Sequence, residues 1–132
     1  MANSKDRLRA LIEGLYAATT RGDVSWHAVQ NVDSYITSIG DGRIEIKEDQ
    51  NVGGEPIIVV NIYNMDGKWV DSVNDDDLKG STPVSLPYNN YFLLMKVLHD
   101  VARRSATGAD KVIEGILRAI NAPNIDSDEV PF

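Results

Sequence analysis

Cysteine is absent from the 132 residues, which excludes disulfides, thiolate catalysis and zinc sites built on Cys. Histidine is scarce as well, with only His27 and His99. His99 adjoins Asp100, but adjacent helical residues point apart, so the spacing encodes no nucleophile, base and carboxylate set. Gly53-Gly54 is followed by Glu55-Pro56 without the lysine a phosphate loop needs. No apolar run approaches the ~18 residues that span a bilayer, and MANSKDRLRA has no apolar segment behind its charges. The expectation is a cytoplasmic chain with no membrane partner. Basic charge is in short supply, 13 Lys and Arg against 20 Asp and Glu, for a net −7. That balance opposes long-range attraction to nucleic acid, although a local basic patch is compatible with it. Three of the acids lie beyond Asn121, so the body carries −4, too sparse a field for a mimic of DNA.

Turn chemistry is plentiful, and it organises Ser25 to Val73. Asp41-Gly42 stands between Tyr35–Gly40 and Arg43–Glu48, and Asn64-Met65-Asp66-Gly67 between Ile57–Tyr63 and Lys68–Val73. Asp-Gly between alternating apolar residues marks a hairpin, since both residues tolerate the positive φ of tight turns. The expected sheet is a four-stranded antiparallel meander, with Trp26–Val29 a short first strand at an edge and Val84-Ser85-Leu86 offering a brief fifth strand. If Asp41-Gly42 closes a two-residue loop, Ile39 faces Ile44 and Thr37 faces Ile46. Asp49–Pro56 reads as a loose Gly-rich connection. With Gly67 as a bulge residue, Ile62 pairs with Val70 and Tyr63 with Trp69. Ile58, Val60, Ile62 and Val70 then face the core, and Ile57, Val59, Tyr63 and Trp69 face away.

Helices flank the sheet. Leu8, Leu11, Ile12, Leu15 and Tyr16 recur at helical spacing between about Ser4 and Arg21, with Asn3 or Ser4 as cap and Gly22 as terminator. A second helix is expected from about Pro87 to Ala106, burying Tyr91, Leu94, Met95, Leu98, Val101, Ala102 and Ser105. His99 falls on its polar flank. Gly108 breaks the chain, and Val112, Ile113, Ile116, Leu117 and Ile120 form the stripe of a third helix that ends before Pro123. The fold class is α+β, with one N-terminal and two C-terminal helices packed on one face of the sheet. Residues 1–121 form a single domain, and 122–132 are expected to be a flexible acidic tail.

Few residues suggest chemistry. Asp75-Asp76-Asp77 invites a calcium loop, but Lys79 and Leu86 occupy the fifth and twelfth positions, where ligands are required. No catalytic residue, metal ligand or cofactor is expected. Tyr63 and Trp69, with Arg43 and Lys68 nearby, offer aromatics and cations on a sheet face, a platform that can stack bases of single-stranded nucleic acid. An edge strand beside the two-sided apolar run Ile57–Val60 suggests a homodimer. A pocket gathering His27 or His99 with acids would be needed for the remaining alternative, a small-ligand protein or hydrolase.

The final residues are more specific. Asp126, Asp128, Glu129, Val130, Pro131 and Phe132 resemble the C-terminal tip of bacterial single-stranded-DNA-binding proteins, an acidic stretch leading to Pro-Phe. The resemblance implies a docking peptide, its Phe ring and carboxylate captured by a DNA replication or repair protein and its acids steering toward a basic rim. Ser127 interrupts the acidic run, and the body does not have that family's OB fold. Gly40-Asp41-Gly42, Tyr63–Gly67 and Ala102–Gly108 resemble features of small bacterial α/β domains, a likeness that implies no activity. The expectation is a non-enzymatic bacterial or phage-encoded interaction or regulatory protein with a protein partner at its tail.

Overall fold

Two hydrogen bonds from tyrosine hydroxyls tie the first helix to the start of the second and to the segment just before it. Tyr91 donates to Glu13 at 2.9 Å, and Tyr16 and Tyr88 share a hydrogen bond of the same length. Burial and the Glu13 carboxylate push the Tyr91 hydroxyl up to about 12, so it remains a donor throughout the physiological range. A computed structural model describes residues 4–30, 32–80, 82–83 and 88–121. Its elements are α1 (Ser4–Thr20), β1 (His27–Ala28), β2 (Ser34–Ile39), β3 (Gly42–Gln50), β4 (Pro56–Asn64), β5 (Trp69–Asn74), a short 3-10 helix (Asp75–Leu78), α2 (Tyr91–Thr107) and α3 (Ala109–Asn121).

The fold is α+β, and its sheet is an antiparallel meander in the order β1-β2-β3-β4-β5. It has five strands where the expectation counted four: the edge strand expected at Trp26–Val29 forms as His27–Ala28, which pair with Ile36 and Tyr35 and add to the four hairpin strands. Val84–Leu86, the other candidate strand, lies outside the described residues, as do Asn3 and Pro87. The first hairpin turns one residue earlier than expected. Ile39 pairs with Gly42 and Thr37 with Ile44, leaving Gly40 and Asp41 as the loop. Gly40 takes the positive φ of the first turn position, +54°. The sum of paired positions changes by two, so each side chain keeps its face. The connection from β3 to β4 is tight rather than loose, since Asn51 folds it with bonds to the Glu55 carbonyl, the Gly54 amide and the Glu55 amide.

β4 and β5 carry the expected bulge, but its register displaces Val70. Tyr63 pairs with Trp69 as anticipated, whereas Ile62 pairs with Asp71. Val70 is the extra residue and is exposed, so it does not join the core. Core residues come from α1 (Ile12, Leu15), the sheet (Tyr35, Ile44, Ile46, Ile58, Val60, Val73) and α2 (Tyr91, Leu94, Met95, Leu98, Ala102), with Trp26 and Leu78 from connections. Ile62 packs against this cluster while partly buried. Ile57 is buried too, but stands apart from it.

α2 begins at Tyr91, where the Asn90 side chain accepts the Leu93 amide, and ends at Gly108, whose φ of +68° closes the last turn. Three of its residues depart from expectation. His99 is buried, Val101 is only half-buried, and Ser105 is exposed. α3 departs most. It was expected to pack on the sheet with the others, yet none of its residues is buried. Among the described residues the outer side of α2 exposes Lys96, Asp100 and Thr107 and a single large apolar side chain, Leu93, a small surface for an aliphatic helix to pack on.

Asp75 continues the β4 hydrogen bonding where β5 ends. The last β4–β5 pair is Val59 with Asn74, and the next free amide, that of Ile58, donates to the buried Asp75 carboxylate at 2.7 Å. Burial pushes the Asp75 carboxyl up, against the pull of backbone hydrogen bonds. A raised folded-state pKa favours folding below the ordinary Asp range, and that advantage fades as pH rises through the raised value. Asp75→Ala, which strands a buried amide, is expected to cost ~1–3 kcal/mol in urea melts. Asp75→Asn, which keeps an acceptor, is expected to lie closer to the parent and to lose this pH dependence. Equal losses in the two variants would contradict that role for the acceptor.

Candidate functional site

The face of the sheet turned away from α2 collects most of the sequence-predicted nucleic-acid residues. Arg43, Tyr63 and Trp69 are cross-strand neighbours in one row, because Arg43 pairs with Tyr63 and Tyr63 with Trp69. Trp69 is 60% exposed and Arg43 is exposed. Lys68 lies in the adjoining turn, its amide donating to the Asn64 side chain. Met65, Trp69 and Val70 are large apolar side chains exposed at this end of the sheet.

A carboxylate sits in the next row. Glu45 Oε2 accepts from Ser34 at 2.6 Å, while Oε1 accepts from Asn61 at 3.0 Å and from Tyr63 at 3.1 Å. Burial pulls this carboxyl upward, but the three hydrogen bonds, helped by Lys47, outweigh it and hold the group below the usual carboxylate range. The same bond and its own burial push the Tyr63 hydroxyl up. Glu45 is thus a fixed negative charge whose two oxygens are occupied, a poor proton acceptor and an unfavourable neighbour for phosphate. Sequence reading missed it, although a Glu on the outward side of a central strand was the available signal.

The two histidines do not meet. His27 pairs with Ile36 on the Glu45 side of the sheet and is exposed. His99 is on the α2 side, buried, with its ring 5.5 Å from that of Tyr35 and Nε2 without a hydrogen-bond partner among the described residues. Burial lowers its pKa against the opposite pull of Asp33 and Glu48, so the ring is neutral at pH 7. The three aspartates of the rejected calcium loop are engaged with protein: Asp75 with the Ile58 amide, Asp76 with Asn51, and Asp77 with the Asn74 amide. Among the described residues no group of three or more His, Cys, Asp or Glu could hold a metal ion. No helix among them is long and apolar enough to cross a membrane.

Two apolar surfaces remain. A groove of about 300 Å³ lies beside α1, lined by Ala10, Leu11, Gly14, Ala18, Val24 and Ile39. The larger surface is α3, where Val112, Ile113, Ile116, Leu117 and Ile120 are each between 45% and 70% exposed. At 3.6 residues per turn these five lie on one side of the helix, and Lys111, Glu114 and Arg118 on the other. α3 meets α2 at the corner, where Arg104 and Asp110 form a 2.6 Å ion pair. The candidate docking residues Asp126, Asp128, Glu129, Val130, Pro131 and Phe132 lie outside the described residues. Comparison with protein-family models, curated proteins and solved structures finds no match to this chain.

The Glu45 cluster makes a pH-dependent contribution. A depressed folded-state pKa stabilises the fold above the ordinary Glu range and loses that effect as pH falls through the depressed value. Glu45→Gln is expected to cost ~1 kcal/mol at pH 7, the difference between charged and neutral hydrogen bonds. Paired urea melts at pH 7 and pH 3 should show that deficit shrinking in acid. A deficit independent of pH would refute the charge-assisted reading.

Proposed function

We propose that this chain is a non-enzymatic interaction or regulatory protein whose principal docking surface is the apolar face of α3. One observation carries the reading: five large aliphatic side chains form a continuous stripe with nothing from the described residues over it. Contiguous apolar patches of several hundred Å² on a folded protein mark sites of association. The composition of α3 adds a second reason. Its 13 residues include four β-branched side chains on the stripe and Gly115 in the middle, all weak helix formers. Isolated helices shorter than ~12–15 residues are marginal in water even with good formers, so this one gains most of its stability from what it packs against. On the resemblance noted above, the tip from Asp126 to Phe132 would be a second contact, directed at a DNA replication or repair protein.

A photo-reactive residue placed at Ile116 of the full chain, expressed in its own cells, tests the reading. A covalent protein adduct is expected, weakened when Ile120→Glu is added. Absence of any adduct at Ile116, with the chain folded and abundant, would overturn it.

A second reading has its own support in the Arg43, Tyr63 and Trp69 row, a short platform for single-stranded nucleic acid. The Glu45 charge in the next row and the net −7 weigh against it. If it holds, Trp69→Ala should lower affinity for a labelled oligonucleotide by roughly 30-fold, the middle of the range for loss of one stacked base. No salt-dependent mobility shift with the parent protein would dismiss it.

A further inference from the structure

We infer that the occupant of the α3 face is α3 of a second copy of this chain, the two helices lying antiparallel about a two-fold axis near their centres. The inference rests on the interaction reading above and adds the partner's identity. Area is the first support. The half-exposed stripe presents roughly 500 Å² per copy, so a symmetric pair would remove roughly 1,000 Å², the lower bound for a specific interface. Spacing is the second. Ala109, Ile113, Ile116 and Ile120 alternate by four, three and four residues, the repeat of a helix seam that packs against its own kind. In an antiparallel pair Ile113 of one copy layers on Ile116 of the other, and Ile120 on Ala109.

Charge favours a second copy over other occupants. α3 carries Asp110 and Glu114 against Lys111 and Arg118, so the helix is neutral although the chain is −7. Two such helices approach without the repulsion that the rest of the surface would impose. A membrane surface would require a cationic polar face, and this one is balanced. Orientation follows from the corner at Gly108, which fixes the body at the N-terminal end of α3. A parallel pair would set two acidic bodies side by side. The antiparallel pair puts them at opposite ends of a helix ~20 Å long and opposes the two macrodipoles.

The full chain has no cysteine, so single Cys variants report cleanly. Sedimentation over a concentration series should rise to twice the 14.5 kDa chain mass, and Ile116→Glu should hold it at one chain with the near-ultraviolet signal of the core unchanged. With a short bis-maleimide, Ile116→Cys should crosslink to itself and Ile120→Cys should not. Self-crosslinking of Ile120→Cys would establish a parallel pair and overturn the proposed geometry. Crosslinking of Ile116→Cys only when mixed with Gly14→Cys would place α3 in the α1 groove of the other copy and overturn the seam. A monomer at every concentration overturns the inference, whether or not it floats with anionic phospholipid vesicles. If the Ile116 photo-adduct is then a different protein, the interaction reading survives alone; if there is no adduct, both fall.

Discussion

A helix has one apolar side, and that of α2 is fully used. Tyr91, Leu94, Met95, Leu98 and Ala102 are all buried, seated between the sheet and the Ile12 and Leu15 side of α1. Complete burial of such side chains is the main favourable term in the folding of a chain this size. It also fixes what is left over. The remaining side of α2 carries Lys96, Asp100 and Thr107, which suit water, and leaves an aliphatic helix only Leu93 as a large exposed apolar side chain. The position of α3 is therefore a consequence of how completely α2 is committed. Gly108 supplies the turn, and the Arg104–Asp110 pair holds the corner, but neither gives the α3 stripe a partner.

The elements with local causes were legible in the sequence. Asn64–Gly67 specified its own bulged turn, and the Tyr63–Trp69 pairing followed from it. Periodicity together with the cap and break residues located α1, α2 and α3 to within a few residues. What failed were quantities set by more than one element. The first hairpin could turn at Gly40-Asp41 or Asp41-Gly42 with every side chain keeping its face, so hydrophobic patterning had no power to choose. Val70 was assigned to the core because alternation was carried through the bulge, which interrupts it. His99 sits at a helical position one step from the apolar stripe. The Tyr35 ring across from it turned a flank residue into a buried one.

α3 shows the limit most clearly. Its stripe and that of α2 are similar as patterns, yet one is buried and the other is open. An amphipathic period states that a helix has a side that avoids water, and is silent on which surface receives it. For the candidate nucleic-acid row the sequence did better, since Arg43, Tyr63 and Trp69 do become neighbours. Glu45 changes their meaning, because its charge and its three donors arise from strand register rather than from any local motif.

The two open surfaces differ in how they stand in water, and that difference ranks them. On the sheet, Glu45 gathers Ser34, Asn61 and Tyr63 into a set of satisfied polar groups, and one face of an antiparallel sheet can remain solvated indefinitely. In the Glu45 cluster nothing demands a partner, and the exposed apolar side chains of this surface are the three at its β4–β5 end, Met65, Trp69 and Val70. The stripe of α3 has no such resting state. Val112, Ile113, Gly115, Ile116 and Ile120 favour helices weakly, and its five aliphatic side chains gain nothing from solvent. On the proposed association, the missing burial would come from the partner, so that the order of the helix and the occupancy of its face would be the same equilibrium.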